Sequence, residues 1–191
     1  MVRSTEQARA VSKRKAILDA ASRLMVAEGL RRVTHRQVAA EAGVPVGSIG
    51  YYYSSREKLI AACFDDAHRR RLDVATRRTE EASPDSGTEE VAEAILDIVT
   101  AGRPYALGGL IFAVVDASRE QREAGASQVK DQATETMELV DIYLARSGRE
   151  PHNAREVGEV IFGAAIVGTQ VGEDPHAAAR TALIRVLGSN D

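Results

Sequence analysis

The sequence predicts an all-α protein with a helix-turn-helix near its N-terminal end. Three observations carry that prediction. Apolar residues recur three and four apart along most of the 191-residue chain, and no segment alternates with the period of a strand. Between Thr34 and Pro45 the chain spells a helix start, a stop and a second start. Charge is divided unevenly as well. The first sixty residues hold 11 Lys and Arg against 5 Asp and Glu, whereas residues 61–191 hold 14 against 23. A basic first third ahead of an acidic remainder suits a protein that meets a polyanion with its N-terminal part alone. The expected division is residues 1–54 for a helix-turn-helix domain and 55–191 for a second helical domain.

Composition narrows the classes. The longest apolar runs, such as Leu110–Val115, are too short to span a bilayer. The opening MVRSTEQARAVSKRK is basic and polar, without the apolar centre of a secretory signal. Cys63 is the single cysteine, which excludes an internal disulfide and a cysteine-based metal cluster. A reducing cytoplasm is the expected setting.

Taken in order, residues 1–11 are polar, of mixed charge and without an apolar period, and read as disordered, a solvated tail or a basic arm. Ser12–Glu28 reads as the first helix, with Ile17, Ala20, Ala21, Leu24 and Ala27 at helical spacing and Gly29 as its stop. Lys13, Arg14 and Lys15 load its start with charge that opposes the helix dipole, so phosphate contact is the expected use. Thr34 and Gln37 form a capping box for the second helix, and Gly43 supplies the left-handed turn. Pro45 is expected in the first turn of the third helix. Within Tyr51-Tyr52-Tyr53 the side chains point about 100° apart if helical, so Tyr53 is expected inward against the first helix. Ser54 and Glu57 read as a second capping box, opening a long helix to about Ala82. Leu59, Cys63, Phe64 and Leu72 form its expected buried side, and His68–Arg71 with Arg77-Arg78 a basic face.

Helical pattern continues through Thr88–Ala101, Pro104–Ser118, Arg119–Arg146, Asn153–Val171 and a last helix opened by Asp174-Pro175. Gly108-Gly109 weakens the apolar Pro104–Ser118 segment, permitting either a bend or close packing. Gly158, Gly163 and Gly168 allow close helix approach. Together with the last helix, Asn153–Val171 therefore reads as a subunit interface, the alternative being packing within one chain. Asp65, Asp66 and His68 lie within one turn but lack the further ligands that metal motifs require. No Gly-rich phosphate loop, nucleophile elbow or His-Glu-x-x-His sequence occurs, so neither a cofactor nor an enzymatic activity is expected.

Residues 12–60 resemble a TetR-family transcriptional regulator. The resemblance rests on Glu28-Gly29, Thr34, Val38-Ala39, Ala42-Gly43-Val44, Gly47-Ser48-Ile49, Tyr51-Tyr52-Tyr53 and Ser55-Arg56-Glu57-Lys58-Leu59. It implies about nine helices, three for DNA binding, a fourth that links to a C-terminal ligand-binding and dimerisation domain, and a last pair that joins two subunits. The implied function is a homodimeric repressor on double-stranded, palindromic DNA, released by a small-molecule effector. Carried over by position, Thr34 with His35 and Arg36, then Val46, Gly47, Ser48, Tyr51, Tyr52 and Arg56, form the expected DNA-binding set. Arg56 stands for the family's usual lysine phosphate contact. Val46 replaces a common lysine and Gly50 a common tyrosine, which makes the base-reading face smaller and less charged. If an effector binds, Cys63, Tyr105, Leu110, Phe112, Met137, Val140 and Tyr143 are the expected contacts, plain core being the alternative for each. A DNA-binding adaptor without an effector, or an α-helical enzyme, are the competing readings.

Overall fold

Helical periodicity is realised throughout the computed structural model, which describes residues 2–109 and 126–189. Eight α-helices lie among these residues: α1 Val2–Glu28, α2 His35–Ala42, α3 Val46–Tyr52, α4 Arg56–Glu81, α5 Thr88–Thr100, α6 Ala126–Arg146, α7 Ala154–Val171 and α8 Pro175–Leu187. Short 3-10 turns at Leu30–Arg32 and Pro104–Ala106 complete the regular structure, and there is no strand among the described residues. The all-α expectation therefore holds. The chain forms two compact units, Met1–Asp66 and Ala67–Asp191, and the continuous helix α4 contributes to each.

The first unit is built on α1. That helix begins at Val2, ten residues before the predicted start. Residues 2–11 contain no glycine or proline and include Glu, Gln, Ala and Arg, all good helix formers. Propensity extends the helix where no apolar stripe announces it. Ile17, Leu18, Ala21, Leu24 and Met25 of α1 are buried, as are Val38 and Ala39 of α2, Ile49 of α3, and Leu59, Ile60, Cys63 and Phe64 of α4. An exposed ion pair, Arg23 Nε to Glu41 Oε1 at 2.9 Å, ties α1 to α2.

Caps set the element boundaries. The backbone N–H of Gln37 donates to Thr34 Oγ1 at 3.3 Å, as the sequence predicts for the start of α2. The Gln37 side chain meets the Thr34 hydroxyl at 2.9 Å rather than the Thr34 backbone N–H of a complete capping box. At the other end Gly43 adopts φ 63 and ψ 34, and its N–H closes on the carbonyls of Ala39 and Ala40. Pro45 sits one residue earlier than predicted in helix terms. It is the extended N-cap of α3, so Val46 begins the helix. Ser55, not Ser54, serves the start of α4: its hydroxyl accepts from the N–H of Lys58 at 3.3 Å. Glu57 turns back on its own backbone N–H and the Ser55 hydroxyl, which holds its carboxyl below the usual range.

In the second unit a single apolar core joins Val74 and Ala75 of α4, Val91, Ile95, Leu96, Ile98 and Val99 of α5, Val140, Tyr143 and Leu144 of α6, Val157, Ile161 and Ala165 of α7, and Ala179, Leu183 and Leu187 of α8. Two corrections concern α4. Leu72 is only half-buried, and Arg71, expected on a basic solvent face, is buried. Charged partners clamp the rim. Arg78 bridges to Asp97, its Nε at 3.1 Å, and Arg180 pairs with Glu93 and with Glu89 at 2.9 Å. Asn153 caps α7 through the N–H of Glu156 at 3.0 Å, and Asp174 caps α8 through the N–H of Ala177 at 2.8 Å. A Cβ added at Gly168 would lie 2.6 Å from the Cβ of Ala178, so glycine is what lets α7 and α8 approach. The predicted helix over Pro104–Ser118 is described only as far as Gly109, where residues 107–109 are helical.

Candidate nucleic-acid interface

The turn between α2 and α3 aims α3 outward. Ile49 is the buried residue of α3 and anchors its inner side. A residue one turn of helix away from a buried anchor returns to the same side, and Tyr53, four residues on, is buried as predicted at 4% exposure. The opposite face carries Val46, Gly47, Gly50 and Tyr51, all exposed, with Tyr51 at 84% the most exposed large apolar side chain described. Ser48 and Tyr52 lie half-buried at its edge. The rings of Tyr51 and Tyr52 stand edge to face, with centroids 5.1 Å apart and planes at 86°. That contact holds Tyr51 out from the helix while Tyr52 supports it.

Gly47 and Gly50 open this face further. A Cβ at either position would meet nothing within 4 Å. Packing does not require glycine there, and the bare backbone leaves room for another surface to come close. With no lysine on α3, the charge around it comes from elsewhere: Arg36 is exposed on α2, and Arg31 and Arg32 in the preceding turn. Arg32 is partly engaged with Glu28 at 2.6 Å. Thr34 and His35 are half-buried at the start of α2, and His35 Nε2 is buried without a hydrogen-bond partner among the described residues.

Two arginines are used differently from the sequence expectation. Arg56 was expected on phosphate. In the structure its Nη2 donates to the carbonyl of Leu30 at 2.7 Å and its Nε to the carbonyl of Val33 at 3.0 Å. The side chain braces the start of α4 against the 3-10 turn ahead of α2, satisfying carbonyls that a short turn leaves open. Arg14, one of three basic residues expected on phosphate, donates from Nε to the Tyr53 hydroxyl at 3.3 Å, and its guanidinium lies 6.0 Å from the ring centroid. Burial pushes the Tyr53 hydroxyl above its usual pKa, so it stays protonated while Arg14 holds it. No motif in the sequence announced either brace; both join residues more than twenty apart in the chain.

The expected effector contacts are scattered. Cys63 is buried in the first unit, while Val140 and Tyr143 are buried in the core of the second. Met137, expected inward, is 42% exposed. It lies three residues before Val140 on α6, on the flank that the core does not cover. Tyr105 falls in the short turn Pro104–Ala106. Leu110 and Phe112 lie outside the described residues. No group of three or more metal-ligating side chains occurs among the described residues, nor is any helix there long and apolar enough to cross a membrane.

A capped helix, a left-handed glycine turn and an outward second helix with an exposed aromatic and bare backbone define a helix-turn-helix, a motif whose second helix reads DNA. Residues 17–63 match the family described as bacterial regulatory proteins, tetR family. That match lies over α1 to α4 and makes this part of the chain similar to the DNA-binding domain of those regulators. Solved structures repeat the fold over nearly the whole length. The TetR-family regulator SCO4454 of Streptomyces coelicolor is 24% identical, with 98% of this chain and 94% of that one covered and a TM-score of 0.67. The multidrug binding protein EbrR, solved with imidazole, is 25% identical over 92% and 89% of the two chains, with a TM-score of 0.58. The fatty acid degradation regulator FadR of Bacillus halodurans is 20% identical over 93% and 95%, with a TM-score of 0.58. No curated protein matches the chain.

Proposed function

We propose that two copies of this chain bind a pseudo-palindromic operator and repress transcription, with a small-molecule effector of the second unit releasing them. The outward face of α3 carries the reading. Val46, Gly47, Gly50 and Tyr51 are exposed together on a helix whose other side is anchored by Ile49. Such a face fits a major groove, with apolar contact to thymine methyl groups from Val46 and phosphate or base contact from Tyr51. Thr34, His35, Arg36, Ser48 and Tyr52 surround it and complete the DNA-facing set.

Dimerisation is supported by α7. Phe162, Ile166, Val167 and Val171 are exposed at 37–66%, a stripe at helical spacing that one chain leaves uncovered. A second α7–α8 pair would cover it. Successive major grooves, which the two α3 helices of such a dimer would enter, lie about 34–36 Å apart. Small-molecule control is supported by the likeness to EbrR, which has been solved with ethidium. An effector shifts the balance only by its difference in affinity for the bound and released states.

Selection of bound fragments from genomic DNA by the purified protein tests the reading. Enriched fragments should share a two-fold symmetric site, and affinity for it should fall steeply with salt because Lys and Arg displace counterions. Absence of any enriched site, or a flat salt dependence, refutes it. An operator complex that no small molecule dissociates leaves an adaptor without an effector.

A further inference from the structure

We infer that Arg71, with His68 one turn before it, forms an anion-recognition site for a small organic carboxylate with an apolar body. The inference deepens the proposed effector control and rests on it for its biological role. Arg71 is 8% exposed within the apolar core of the second unit. Its Nη2 donates to the Val99 carbonyl at 3.3 Å, and its Nε is buried with no hydrogen-bond partner among the described residues. No carboxylate pairs with it among the described residues. A guanidinium does not shed its proton at such a position, and an unpaired buried cation is among the costliest groups a core can hold.

His68 supplies the second observation. Three residues before Arg71 on α4, it lies on the same helix face. Its Nε2 is 3.1 Å from Glu135 Oε2, and its Nδ1 is buried with no partner among the described residues. With Nε2–H given to Glu135, Nδ1 offers a lone pair to a hydroxyl on the ligand. Two buried nitrogens therefore lie one turn apart on one face of α4 without partners among the described residues, one of them on a permanently cationic group. The neighbouring turn brings Val74 and Ala75, buried in the same core as Val99 and Leu107. Fixed positive charge beside apolar side chains suits an amphiphilic anion and repels a cation.

Capping is the competing use. Val99 lies in the last turn of α5, where a donor to its carbonyl is useful in itself. A cap needs a neutral donor only, whereas carboxylate recognition needs the charge. Arg71→Gln separates them, because a glutamine amide can still donate to a carbonyl.

The test uses full-length protein and calorimetric titration with monocarboxylates from acetate to decanoate and benzoate. Matching primary amides and choline serve as neutral and cationic probes, and each compound is also added to the operator complex. At least one carboxylate should bind at least about tenfold more tightly than its amide, the usual scale of a charge-assisted hydrogen bond. Arg71→Gln should abolish that preference while helix content and ligand-free operator binding persist, and Arg71→Lys should retain part of it. Equal binding of acid and amide, no binding of any carboxylate, or a preference that survives Arg71→Gln overturns the inference. If choline or an amide releases the operator and no carboxylate does, effector control stands and the anion site falls. Carboxylate binding through Arg71 without operator release has the opposite meaning.

Discussion

Replacing Arg56 by alanine separates two uses of one residue. In the structure the guanidinium gives two hydrogen bonds to backbone carbonyls, at 2.7 Å to Leu30 and 3.0 Å to Val33. Bonds with one charged partner contribute about 1.5–3 kcal/mol each when well formed. Arg56 is half-buried, and water can replace part of what is lost, so about 2 kcal/mol for the pair is the reasonable magnitude. For a chain of this size each kcal/mol moves the melting temperature by about 2–4 °C. Arg56→Ala should therefore lower Tm by about 4–8 °C. A phosphate contact behaves otherwise. Its loss leaves Tm in place and reduces the slope of log affinity against log salt by about one. Thermal unfolding of the variant, with operator titrations at several salt concentrations well below Tm, distinguishes the two. An unchanged Tm with a reduced salt slope refutes the brace and restores the role that the sequence resemblance implied.

The other predictions address the remaining elements. Tyr51→Ala should reduce operator affinity in a gel-shift titration by about tenfold, the scale of one lost base or phosphate contact, without moving Tm, since the side chain touches little besides Tyr52. Tyr52→Ala should weaken DNA binding as well, but with some loss of stability because the ring is half-buried. Gly168→Val should destabilise by about 1–3 kcal/mol through overpacking, whereas Gly163→Ala meets nothing within one chain; loss of stability in Gly163→Ala on chemical denaturation would therefore report a second subunit at α7. Phe162→Glu combined with Val167→Glu should turn the sedimenting species into a monomer, and a dimer that persists would move the interface off this face.

Much of the DNA-facing unit was legible because its signals are local. Thr34 and Gly43 do what their residue types demand within three or four residues of chain, as Asp174 does in the second unit, and helix geometry alone sends Tyr53 inward when Tyr51 points out. The misplacements were also local and small. Ser55 rather than Ser54 caps α4, since both serines satisfy the pattern and only the path of the chain decides between them. The early start of α1 escaped because residues 2–11 carry propensity without an apolar stripe. The expected effector contacts fared differently. Cys63, Met137, Val140 and Tyr143 are all apolar enough for a core. Their sequence spacing does not say that Cys63 joins the first unit, that Met137 faces outward, or that Val140 and Tyr143 share the core of the second.

The sequence by itself determined the helical class, the helix-turn-helix and the outward face of α3, because periodicity, caps and glycine turns act between near neighbours. Tertiary structure alone decided the employment of the charged side chains. Arg14 on Tyr53, Arg56 on the Leu30 and Val33 carbonyls, and Arg71 buried against Val99 each depend on partners twenty-three to thirty-nine residues away. A long, flexible cation looks the same in sequence whether it meets phosphate, solvent or a backbone carbonyl; only the packing of distant helices brings its partner within reach.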